Sequence, residues 1–76
     1  MKPEQCRAAR ALIGMSQETL ADRAGVGIQT VIAFEGARRA PYARTLDAIR
    51  AALESGGVEF TNGNAPGVRL RPTSTA

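Results

Sequence analysis

Apolar residues recur at helical spacing through the first 55 positions and then alternate with polar ones. Cys6, Ala9 and Ile13 share one stripe, with Arg10 among them, and predict a helix over Pro3–Ile13. Proline suits its first position, where the missing N–H would have no partner anyway, and Gly14 ends it. Leu20, Ala21 and Ala24 predict a second helix over Gln17–Ala24. Ser16 is its N-cap candidate, since a hydroxyl there accepts from a free backbone N–H one turn in. Glu18 suits the positive end of the helix dipole. Met15 fills the space between the two helices. Gly25 can adopt the left-handed conformation that a helix stop often needs, and Val26 plugs the turn. Val31 and Phe34 form the inner face of a third helix over Ile28–Glu35. Leu46, Ile49 and Leu53 form that of a fourth over Ala43–Ser55, stopped by Gly56 and Gly57.

Residues 58–61 and 68–71 alternate instead, with a turn-rich stretch between them, and predict a β-hairpin over 58–71. Two strands alone are marginal in water. The hairpin must therefore lie on the helices, pair with another chain, or both. Its open edges offer unpaired backbone groups, so Val58, Phe60, Val68 and Leu70 are the expected homodimer interface. Phe60 and Leu70 are also expected to extend the helical core. The organisation is thus a mainly α fold, with a helical domain over residues 1–57, the hairpin over 58–71 and a frayed tail over 72–76.

Residues 16–34, SQETLADRAGVGIQTVIAF, carry the function. Helix, glycine-containing turn, helix is the layout in which the second helix enters the DNA major groove. With Val31 and Phe34 inward, Gly27, Ile28, Gln29, Ile32 and Ala33 are the candidate base contacts. Gln29 is the one good hydrogen-bonding reader, because its amide can pair with N6 and N7 of adenine. Ile28 and Ala33 offer methyl groups suited to a thymine methyl.

These residues resemble the phage repressor/Cro type of helix-turn-helix protein, the XRE-like family. The resemblance rests on Ser16-Gln17-Glu18-x-Leu20-Ala21, Ala24-Gly25-Val26, Thr30-Val31 and Phe34-Glu35. Pro41 and Thr45-Leu46 fall where that family closes its loop and begins another helix. The similarity runs over residues 3–55 and implies a four-helix repressor-like domain. It also implies that Gln17 contacts the DNA backbone, and that Arg10 and Glu35 form a buried ion pair. Position alone gives Arg10 the same need, since an arginine on an inward stripe requires a carboxylate. The chain departs from the family twice. The outer face of its third helix carries Ile28, Ile32 and Ala33 where polar or basic residues are usual. Ala37 stands where glycine is usual.

Composition narrows the chemistry. Seventy-six residues allow one domain with a small core. The net charge is +3 and the pI near 10, consistent with a nucleic-acid partner. All the cations except Lys2 are arginines, which make forked contacts to phosphate. Gln17, Arg38, Arg39 and Arg44 are the candidate phosphate contacts. There is no histidine, and the single cysteine, Cys6, has no evident base, so neither catalysis nor a metal centre is expected. The glycines make no phosphate-binding fingerprint. No cofactor or small-molecule ligand is expected. The first residues lack the apolar segment of a signal peptide and no run is long enough to span a membrane, which predicts a cytoplasmic protein, on the nucleoid when bound to DNA. The expected function is a transcriptional regulator, a repressor, binding a near-palindromic operator in double-stranded DNA as a dimer. The alternative is a protein-interaction module on the same scaffold, an antitoxin or anti-activator, for which the apolar residues of the third helix speak.

Overall fold

A computed structural model describes residues 1–61 and 65–72; the centre of the expected turn, 62–64, and the tail from 73 onward lie outside the described residues. The helices are α1 (Pro3–Ile13), α2 (Gln17–Ala24), α3 (Ile28–Glu35) and α4 (Ala43–Ser55), the spans that their apolar spacing predicts. Strands β1 (Val58–Thr61) and β2 (Gly67–Leu70) follow as an antiparallel hairpin. The second strand begins one residue earlier than its alternation suggests, although the Arg71 N–H still reaches the Gly57 carbonyl at 2.7 Å.

Three helix ends share one device. After α1, Gly14 turns left-handed (φ 63°) and the Met15 N–H bonds back to the Arg10 carbonyl at 2.9 Å. After α2, Gly25 does the same (φ 70°), and the Val26 N–H reaches the Ala21 carbonyl at 3.0 Å. These six-to-one bonds satisfy carbonyls that the helix itself leaves free. At the end of α3 the left-handed position falls on Ala37 (φ 56°), with the Arg38 N–H bonded to the Ala33 carbonyl at 2.9 Å. Here the side chain crowds its own carbonyl, at a cost of about 1–2 kcal/mol. Glycine would relieve that strain but add about 0.4–1 kcal/mol of unfolded-chain entropy. Ala37→Gly should therefore raise stability by roughly 0.5–1 kcal/mol. A urea midpoint equal to or below that of the parent chain would refute this account of the turn.

Cys6, Ala9, Leu20, Ala21, Val31, Phe34, Ile49, Ala52, Leu53 and Val58 form one buried cluster. At its rim α4 ends against α1, where a Cβ on Gly56 would lie 2.8 Å from Ile13 Cδ1. The strand register sets Val58 opposite Leu70 and Phe60 opposite Val68, so all four share the face turned towards the helices. Glu59 and Arg69 pair on the other face at 2.7 Å. The hairpin packs on α1 and α4. Gln5, 5% exposed, locks it there. Its side-chain amide donates to the Thr61 carbonyl (3.1 Å) and the Gly67 carbonyl (3.0 Å), one in each strand, while its oxygen accepts from the Lys2 N–H at 2.8 Å.

Two hairpin residues sit otherwise than the sequence suggests. Val58 is 1% exposed and belongs to the core of its own chain, so it is not available to a dimer interface. The Gly56-Gly57 turn follows α4 directly and folds the first strand residue beneath the helices. Leu70, expected in the core, is 52% exposed: its strand packs mainly on α1, whereas β1 packs on both α1 and α4. Phe60 and Val68 are half-buried against the core, and the Arg50 guanidinium lies 5.3 Å from the centre of the Phe60 ring.

Candidate nucleic-acid interface

Helix α3 is held from behind. Val31 and Phe34 are buried, and the helix packs on α2 and α1. Because the hairpin sits on α1 and α4, the outer side of α3 is left to solvent at its N-terminal end. Gly27, the N-cap, and Gln29 are exposed there, and Ile28 is 37% exposed. Ile32 and Ala33 are half-buried on its flanks. No acidic residue stands in the first turn.

A trough runs along each flank. One, of about 490 Å³, opens between α3 and the start of α4 and is lined by Gln29, Thr30, Ala33, Arg39, Tyr42 and Thr45 among others. The other, of about 350 Å³, is lined by Arg7, Arg10, Gln17, Ile32, Glu35, Gly36 and Arg38. Arg38 and Arg39, adjacent in sequence, thus serve opposite sides of α3, and both are exposed. Arg44 is exposed on the first turn of α4 but lines neither trough.

A buried polar cluster fixes this surface to the body. Glu35 is 3% exposed, and its carboxylate accepts four hydrogen bonds. Arg10 donates twice, from Nε at 2.7 Å and from Nη2 at 2.6 Å. The Cys6 thiol donates at 3.0 Å and the Gln17 amide at 3.0 Å. Arg10 also donates from Nη1 to the Met15 carbonyl at 3.0 Å, and Arg7 donates to the main-chain carbonyl of Glu35. One carboxylate therefore joins α1, α2 and α3, and with them the angle between the two helices of the reader. Gln17 uses one of its two amide hydrogens on Glu35, and its backbone N–H lies at the first turn of α2, where a helix leaves its N–H groups without internal acceptors.

The charges follow from this geometry. Burial alone would raise the Glu35 carboxyl, but the hydrogen bonds from Arg10, Cys6 and Gln17 together outweigh it and hold the group below its ordinary 4.5. Its hydrogen bond to Glu35 raises Arg10 above its ordinary value, against the opposing effect of burial. Burial, and then the bond to Glu35, push the Cys6 thiol well above 9.0. Cys6 is 0% exposed and stays protonated as a donor, the opposite of what a nucleophilic cysteine needs.

Several residues of this surface escape sequence reasoning. Thr30, Tyr42 and Thr45 line the larger trough and Arg7 the smaller. Tyr42, 87% exposed, carries the one usable signal, an aromatic ring beside a basic run. Nothing in the sequence marks Cys6 as a donor to Glu35.

Among the described residues no helix is long and apolar enough to cross a membrane. No curated protein matches the chain at a significant level. A family profile described as helix-turn-helix matches residues 7–60, which takes in most of α1, all of α2, α3 and α4, and β1 as far as Phe60. The chain belongs to the XRE-like helix-turn-helix family of DNA-binding transcription regulators.

Proposed function

We propose that this regulator is a repressor that binds a near-palindromic operator as a homodimer, with α3 of each subunit in the major groove. The observation that carries the reading is the uncovered N-terminal face of α3, with Gln29 at its centre and an arginine-bearing trough on either side. In this reading Gly27, Ile28, Gln29, Ile32 and Ala33 meet base edges, while Gln17, Arg38, Arg39 and Arg44 meet phosphates. Two-fold symmetry would set half-sites about one helical turn apart. The dimer surface would draw on Leu70, the half-buried Phe60 and Val68, and the free strand edges. A domain of this size gains from such an assembly. Repression would act by occlusion of a promoter, and the cytoplasm is its proposed place.

The exposed Ile28 favours a second reading, a protein-docking module on the same scaffold. Selection from random duplexes, followed by mobility-shift titration at several salt concentrations, separates the two. A regulator should return a two-fold symmetric site bound with a salt-dependent affinity. No sequence preference at any salt, with Ile32→Glu abolishing a protein complex that Gln29→Ala and Arg38→Ala leave intact, would favour the module.

A further inference from the structure

The outer face of α3 is apolar where a hydrogen-bonding reader would be polar. The helix has one charged residue, Glu35, and that one is buried and ion-paired. Among its outward positions only Gln29 is a long polar side chain. Ile28 is exposed at the first turn, Ile32 follows one turn later on the same ridge, and Ala33 stands one turn after Gln29. Base-pair edges in the major groove offer donors, acceptors and a single apolar feature, the pyrimidine C5-methyl group. An isoleucine pressed on a donor or acceptor would strip it of water and return no hydrogen bond. Pressed on a methyl group, it buries apolar surface on both sides.

Gly27 bears on the same point. Its φ of −71° is open to any residue, and a Cβ there would meet nothing nearer than Thr30 Oγ1 at 4.0 Å. Neither backbone nor packing requires glycine, and serine or asparagine would cap the helix better. The missing side chain instead lets the start of α3 come close to whatever it faces. That face is only two isoleucines and an alanine wide, and Arg38 and Arg39 are exposed beside it. An arginine-flanked strip so narrow suits a polyanion with methyl groups better than a broad apolar protein surface.

We infer that Ile28 and Ile32 read C5-methyl groups of pyrimidines in the major groove, with Gln29 taking an adjacent adenine. The methyl group can belong to thymine or to 5-methylcytosine. The inference rests on the DNA-binding reading proposed above.

The test uses the full chain and the site obtained by selection from random duplexes. Each thymine of that site is replaced in turn by uracil, which removes the methyl group and leaves the hydrogen-bonding edge unchanged. Each is also replaced by cytosine and by 5-methylcytosine. At contacted positions uracil should weaken binding about three- to fivefold, the value of one buried methyl group. Cytosine should weaken it further, with 5-methylcytosine regaining part of the loss. Ile28→Ala should bring the thymine-to-uracil ratio to about one at one position and Ile32→Ala at another. Equal binding of thymine and uracil throughout a well-defined site overturns this inference and leaves the regulator reading intact. Failure to select any site overturns the regulator reading itself, and this inference with it.

Discussion

Arg10→Ala is expected to lower folding stability by about 3–5 kcal/mol, a large share of the ~5–15 kcal/mol that holds a domain together. The substitution leaves the Glu35 carboxylate 3% exposed, with only a thiol and an amide to solvate it. A charge in that position has lost its main compensation and cannot regain water without opening the junction of α1, α2 and α3. Unfolding followed by helical circular dichroism in urea reads the effect directly. The companion variant carrying both Arg10→Met and Glu35→Leu should recover most of the loss, since an apolar pair of similar volume removes the demand together with the donor. DNA affinity of the folded fraction should change less than stability does. An Arg10→Ala chain that melts with the parent would mean that the cluster does not hold the reader together.

The same pair sets a pH dependence of definite sign. The folded-state carboxyl of Glu35 lies below its ordinary value of 4.5, so the unfolded chain binds the proton more readily. The contribution of the pair is complete above pH 4.5 and is lost as pH falls from there through the folded-state value. Arg10→Ala should flatten that acid limb and leave the neutral plateau lower. Were the acid limb unchanged in the variant, other carboxylates would be its source.

The helical framework can be read from the chain because each segment is punctuated. A proline opens α1 and a serine caps α2, a glycine follows each helix, and an apolar stripe shows which side turns inward. An arginine on such a stripe calls for a carboxylate; that the carboxylate is Glu35 is what the resemblance to the repressor type implies, and the two side chains meet at 2.6 Å. What leaves no periodic trace is bonding between distant positions. Gln5 reads as one polar residue near a helix start, yet it ties the first turn of α1 to both strands some 56 and 62 positions away. Alternation identifies the hairpin but not how far its apolar face slides over the helices. With β1 against both α1 and α4 and β2 mainly against α1, Val58 lies inside and its cross-strand partner Leu70 outside. Ala37 is a further case, since spacing alone does not reveal that the α3 stop forms one residue after Gly36 and takes alanine into the left-handed region. On the reader itself, apolar periodicity separates the inner from the outer face of α3, while the two troughs depend on where the 36–42 loop and α4 come to rest.

Gln29→Ala should weaken binding to the selected operator by about 1–3 kcal/mol, or about 5- to 150-fold, and relax preference at one base position. The glutamine is the one long hydrogen-bonding side chain on an exposed helix start, so no neighbour can take over a bidentate contact to adenine. Its loss should leave the slope of log affinity against log salt unchanged, because no phosphate contact is removed. Arg39→Ala should do the reverse. It should weaken specific and random duplexes alike and reduce the magnitude of that slope by about 0.9. The two variants are close in space, since Gln29 and Arg39 line one trough, and a general disturbance of the surface would move both readouts together. Only a helix lying in the groove with its flanking arginine on the backbone gives base preference to one residue and salt dependence to the other. If Gln29→Ala instead shifted the slope and spared the preference, α3 would be lying on the phosphates and not between them.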